Sequence, residues 1–361
     1  MLISQILNGL LALFALLGGI DAALGNRWGL GDRFKEGFQA IGSIGLGMIG
    51  MICLAPVLAD FLSPYLSPLF QAIGADPAML GSFLAIDMGG FPLAQELGQS
   101  SAGVNFSGII MSSMFGCTLV YALPVGFNLV AEEDYPLFAR GIIAGLIAIP
   151  LGGLVGGLVA GYDWSFILPN LLPTSLLSLL LILGFLKIPE RLVSWTLNFA
   201  KGLNAVIYLG LALAAAQHLS GYTLLSGMGA LDEAILTVGS IGVTLLGAYP
   251  LVDLLTRLLD QPLHWVGNQL GISSQASAGF LVNLVNCVPV FDQSKEMDSR
   301  GKVMNFAFIV PATSVFGAHL AYTNSVAEEV LPAMILAKLS AGLLAVLLAY
   351  LFTGDLTEEA A

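Results

Sequence analysis

Charge is what this chain has least of. Asp, Glu, Lys and Arg make up 10% of its 361 residues, against about 25% in a soluble domain. So few polar groups cannot cover a water-facing surface, and the sequence is 57% hydrophobic. Lipid removes the difficulty, and a polytopic membrane protein follows. The three cysteines, Cys53, Cys117 and Cys287, stand in apolar stretches without metal-ligand spacing. They read as packing residues, not as a disulfide or a zinc site. Three scattered histidines supply neither a nucleophile with its base nor a metal cluster, which argues against a membrane-embedded enzyme. No Gly-Lys-Ser/Thr follows any Gly-rich run, so none is a phosphate loop, and no cofactor or metal is expected. Runs such as Gly152-Gly153-Leu154-Val155-Gly156-Gly157 instead let helices approach closely in lipid. No basic residue precedes Arg27, so the first segment lacks the positive start of a signal peptide and reads as a retained helix. The net charge of −12 lies largely in short acidic loops and in the tail Asp355 to Glu359. Solvated loop charge suffices for it, and no nucleic-acid partner is expected.

What the chain does have is a repeat of itself. Gly42-Ser43-Ile44-Gly45 returns as Gly239-Ser240-Ile241-Gly242, Ser82-Phe83-Leu84 as Gly279-Phe280-Leu281, and Pro92 as Pro289, all at an offset of 197 residues. Duplication within an apolar chain is the signature of many secondary transporters, whose substrate site lies between the halves. A purely structural scaffold would explain the hydrophobicity but not two matched polar breaks.

Hydropathy and helix breakers predict spans near 3–24, 37–60, 104–128, 137–161 and 165–187, then 198–220, 232–257, 302–323 and 328–353. Two segments, 61–101 and 258–297, are broken by prolines and polar residues. Basic residues choose their path, because cytoplasmic loops collect Lys and Arg. If each broken segment crosses once, five basic residues face six across the membrane; if each returns to its own side, eleven become cytoplasmic and only Lys338 remains within a helix. The re-entrant arrangement is therefore expected.

The predicted fold is all-α, with two inverted-topology repeats (1–162 and 191–354), about nine spans and an unpaired linker helix at 163–190. An acidic cytoplasmic tail occupies 355–361, and the N-terminus lies outside. Oligomeric state is left open.

Non-helical backbone at membrane depth survives only where protein buries it or water lines it. Asp87-Met88-Gly89-Gly90-Phe91-Pro92 combines such a break with a carboxylate, and Glu96 follows two turns on. A charge at bilayer depth costs about 2.5–3.5 kcal/mol on insertion scales, so it usually serves a pathway or a paired structure. The counterpart break carries Asn283 and Asn286, three residues apart and able to share a helix face. Candidate substrate-binding residues are Asp87, Gly89, Gly90, Glu96, Asn283, Asn286 and Tyr249, the last as an aromatic face for a cation. Asp298, Arg300 and Lys302 form a charged loop that either caps the cytoplasmic face or gates it. Asp21, Asp253 and Lys338 either snorkel or pair, and His319 reads as packed or hydrogen-bonded.

The motifs together resemble the ethanolamine permease family, EutH. Glu36-Gly37-Phe38, Leu54-Ala55-Pro56-Val57-Leu58-Ala59, Gly74-Ala75-Asp76-Pro77 and Asp87-Met88-Gly89-Gly90-Phe91 carry the resemblance in the first half. Leu246-Gly247-Ala248-Tyr249-Pro250, Met297-Asp298-Ser299-Arg300-Gly301-Lys302-Val303 and Gly317-Ala318-His319-Leu320 carry it in the second. The similarity runs from about residue 36 to 345; the chain is shorter than that family around 222–232 and has Asp292 where a small neutral residue is expected. The resemblance implies an inner-membrane importer of ethanolamine in bacteria that catabolise it. On that reading Asp87 compensates the ammonium, with Glu96 in support, and Asn283 or Asn286 meets the hydroxyl. Proton- or sodium-coupled symport and a channel are the alternatives.

Overall fold

The computed structural model describes residues 2–83 and 89–354, apart from the side chains of residues 2–4, 260, 263 and 266. Asp87 and the acidic tail lie outside the described residues. Every regular element is helical, and no strand occurs among the described residues. Among the described residues, eight helices are long and apolar enough to cross a membrane.

Helix α1 (Leu2–Ala23) leads into α2 (Leu30–Ala72) through a tight turn. Asp21, fully buried, accepts the main-chain N–H groups of Trp28, Leu30 and Gly31 at 2.9 Å each. It neither snorkels nor pairs with a cation. It satisfies donors that open the next helix, which have no intrahelical partner.

The sequence suggested that α2 would stop near residue 60. Instead it runs 43 residues through Pro56, Pro64 and Pro68, about 65 Å at 1.5 Å per residue and twice a hydrocarbon core of about 30 Å. Beyond Ala59 it has a packing partner: Leu58, Leu62, Leu66 and Phe70 cover Leu80, Leu93 and Leu97 of the segment that follows. The same happens in α9 (Leu231–Leu270), which continues through Pro250 and Pro262.

Each long helix is followed by a fold-back. The first comprises a 3₁₀ turn (Pro77–Ser82) and α3 (Gly90–Leu97); the second comprises α10 (Ser274–Asn283) and α11 (Val288–Gln293). Their openings, Pro77 and Ser274, are 197 residues apart. One carboxylate clasps the base of each. Asp76 accepts from the N–H of Ala78, the N–H of Gln99 and the hydroxyl of Ser100 at 2.9, 3.1 and 3.0 Å. Asp298 accepts from the N–H groups of Ser273 and Gly301 at 2.7 and 2.9 Å. Residues 76 and 100 therefore meet, as do 273 and 298. Within each broken segment the chain therefore folds back on itself, between 76 and 100 in the first and between 273 and 298 in the second.

After the first fold-back, α4 (Ser101–Asn105), π-helical runs at Phe106–Gly116 and Thr118–Ala122, and α5 (Leu123–Leu129) form a single apolar span. Helix α6 (Tyr135–Val159) follows, then α7 (Trp164–Lys187) and α8 (Pro189–Ser220). In α6 the glycine stripe permits backbone contact. A Cβ on Gly141 would come within 2.5 Å of Phe306, and one on Gly145 within 2.4 Å of Val310.

After the second fold-back the expected span at 302–323 is interrupted. It comprises α12 (Ser299–Ala312), an unwound stretch at 313–317, and α13 (Ala318–Val326). Pro311 withholds an N–H from the helix, and Ser314 takes a left-handed φ of 58°. Helix α14 (Leu331–Phe352) closes the chain. Helices α1, α2, α8 and α9 pack on one another; α6, α12, α14 and the π-helical span form a second group, reached by α13 through α9.

Candidate functional site at the paired helix breaks

The two breaks of the second half meet. Ser314 N–H donates to Asn283 O at 3.0 Å and Phe316 N–H to Leu284 O at 2.9 Å. Main-chain groups freed from their helices thus satisfy each other, as burial demands. Gly317 has to be glycine for space, because a Cβ there would fall 2.3 Å from the Val285 carbonyl oxygen.

Within this junction Asn283 is fully buried, and neither atom of its carboxamide has a hydrogen-bond partner among the described residues. The hydroxyl of Thr313, also fully buried, is in the same condition. Leaving a buried polar group unmade costs about 1–3 kcal/mol. Two such groups on adjoining breaks offer a donor and acceptors to a small polar molecule. His319 is fully buried nearby, its main-chain N–H bonded to Ser314 O.

Asn286 stands on the other side of the break. Its side-chain oxygen accepts the Val288 N–H at 2.9 Å, opening α11. It also lines a cavity of about 280 Å³ with Val285, Pro289 and Tyr249. Arg33 and Glu36 of α2 and Asp253 of α9 complete that lining. There Arg33 pairs with Glu36 at 2.7 Å and with Asp253 at 3.1 Å, and Arg257 reaches Asp253 at 2.6 Å. The cavity's acids and bases are thus already matched.

The first fold-back approaches the same region. Phe91, buried one residue after Gly90, sets its ring edge-on to Tyr322 of α13 at 6.1 Å between centroids. Gly89 and Gly90 open α3, and the Gly90 carbonyl lies where a Cβ on Gly81 would stand. Glu96 is exposed near the clasped base, not at the tip.

The charged loop has specific structural partners. Asp298 is the clasp already described; the Arg300 guanidinium lies 4.1 Å from the Tyr350 ring centroid; Lys302 holds Asp134 at 2.7 Å, both nearly buried. No group of three metal-ligating side chains occurs among the described residues, and the three cysteines are buried thiols.

Of the residues named from the sequence, Asn286 and Tyr249 line one cavity and Asn283 lies at the adjoining junction with Thr313, which the sequence reading did not name. The signal was present: Pro311, Thr313-Ser314 and Gly317 punctuate an apolar run.

The ethanolamine utilisation protein family EutH matches residues 3–352. This chain belongs to the EutH family. A relative in Listeria monocytogenes, named a probable ethanolamine permease EutH, is 43% identical over 347 residues, covering 96% of this chain and 93% of its own. The protein of the same name in Escherichia coli is 39% identical over 343 residues, covering 88% and 84% respectively. A Bacillus subtilis protein, YxeR, is 39% identical over 337 residues, covering 93% and 91%. No solved structure matches this EutH-family chain.

Proposed function

We propose that this EutH-family chain imports ethanolamine across a bacterial inner membrane by alternating access, taking it as the ethanolammonium cation. The junction of helix breaks is the observation that carries this reading. The side chains of Asn283 and Thr313 are buried there without hydrogen-bond partners among the described residues, suited to a molecule that both donates and accepts hydrogen bonds. The relatives' name, probable ethanolamine permease, supplies the substrate.

The two halves, 1–162 and 191–354, are inverted repeats around the linker at 163–190, with the N-terminus outside and the C-terminus cytoplasmic. The common register of the fold-backs supports this. Asp87 supplies the negative charge that the matched groups of the cavity do not, and Asn286 and Tyr249 line the approach. An inside-negative potential contributes about 2.3 kcal/mol per charge per 100 mV, enough to concentrate the cation as a uniported species.

Proteoliposomes holding the purified protein test this. Labelled ethanolamine uptake should saturate, and it should accelerate when the interior is made negative. Linear uptake indifferent to potential would remove the carrier reading.

A further inference from the structure

Lys338 is fully buried in α14, eight residues into the helix, about 10 Å along it at 1.5 Å per residue. Its ammonium donates to the main-chain carbonyl of Ser113, within the π-helical run Phe106–Gly116. Lysine at such a place is costly and marks function more often than packing.

The surroundings show what the ammonium holds. One turn further along α14, a Cβ on Gly342 would meet Phe308 and Ala312, the last turn of α12 before the unwound stretch. On the π-helical side, the Thr118 hydroxyl lies 2.7 Å from Met114 O and 2.9 Å from Val310 O. Lys338 therefore joins α14 to the π-helical span beside the break at 313–317. Unwound main chain at membrane depth, such as that at 313–317, presents carbonyl oxygens that in many carriers coordinate a sodium ion. A lysine ammonium has the same single positive charge and is also satisfied by oxygen acceptors, through its three N–H donors.

We propose that Lys338 is a built-in cation that replaces a coupling ion, holding the π-helical run against α14 beside the broken helix so that transport needs no sodium. The proposal rests on the carrier reading for its consequence in transport, though not for the bond itself.

The test compares wild type with Lys338→Ala, which opens space at the Ser113 carbonyl, in proteoliposomes containing sodium, potassium or N-methylglucamine chloride. Wild-type uptake should be the same in all three. Lys338→Ala should lose about tenfold in activity without sodium and regain about threefold with it, as the free ion binds in place of the ammonium. Thermal melting of the purified proteins should follow, with sodium raising the melting temperature of the variant alone. Should the alanine variant not accumulate, Lys338→Ser is judged by the same criteria. A sodium requirement in wild type, or a variant whose uptake and melting ignore sodium, would overturn the proposal. If wild type takes up no ethanolamine, the carrier reading fails, and the melting comparison still decides whether the ammonium occupies a cation site.

Discussion

Ser314 donates its main-chain N–H to the carbonyl of Asn283 at 3.0 Å, and this bond places two interrupted helices side by side. Without it the Asn283 carboxamide and the Thr313 hydroxyl would belong to separate elements. With it both side chains lie buried at one junction built from main-chain pairing.

If Asn283 serves a ligand and not the fold, its removal should affect the two properties in opposite directions. Asn283→Leu should leave the melting temperature unchanged or raised, since an unpaired buried amide costs about 1–3 kcal/mol. Ethanolamine uptake should fall at least about tenfold. A variant that melts early and transports normally would contradict this.

The clasps should behave differently. Asp76 accepts three hydrogen bonds at the base of the first fold-back, and bonds to a charged group contribute about 1.5–3 kcal/mol each. Asp76→Ala should lower the melting temperature and expose the fold-back to proteolysis, and Asp298→Ala should do the same for the second. Limited digestion with mass spectrometry locates the opened segment.

The Lys302–Asp134 pair is nearly buried, with side-chain exposures of 14% and 10%. Removing one partner leaves an uncompensated charge and should cost about 3 kcal/mol. The double variant Asp134→Ala with Lys302→Ala should recover much of that loss. A thermal-melting cycle reads the coupling; strictly additive losses would show that the pair is not acting as a unit.

Packing in α6 predicts a fourth outcome. Gly141→Ala puts a Cβ within 2.5 Å of Phe306 and 2.7 Å of the Val303 carbonyl, and overpacking of this kind costs about 1–3 kcal/mol. Gly202→Ala, where nothing lies within 4 Å, should be neutral or slightly stabilising. Melting temperatures of the two variants separate these expectations.

Much of this arrangement was legible in the sequence, for reasons that differ by element. The offset shared by Gly42 and Gly239, and by Pro92 and Pro289, pairs α2 with α9 and α3 with α11. The basic residues raised the expectation of re-entrant segments; the clasps at Asp76 and Asp298 depend on contacts between residues about 25 positions apart. Asn283 stood out because an amide deep in an apolar run has few structural uses. The continuation of α2 through Pro56, Pro64 and Pro68 could not be read locally, since its partners Leu80, Leu93 and Leu97 follow only after the chain turns. The break at 313–317 was hidden likewise, because its main chain is satisfied by residues about thirty positions earlier. Lys338 was ambiguous until its burial and its bond to Ser113 were known. Hydropathy alone does not separate a snorkelling lysine from an enclosed one.

Counterflow tests the central claim most directly. Proteoliposomes loaded with unlabelled ethanolamine and diluted into a trace of labelled substrate should show a transient overshoot of internal label, and Asn283→Leu should abolish it. Equilibration without an overshoot, or an overshoot undiminished in the variant, would contradict a carrier whose substrate is held at the paired breaks.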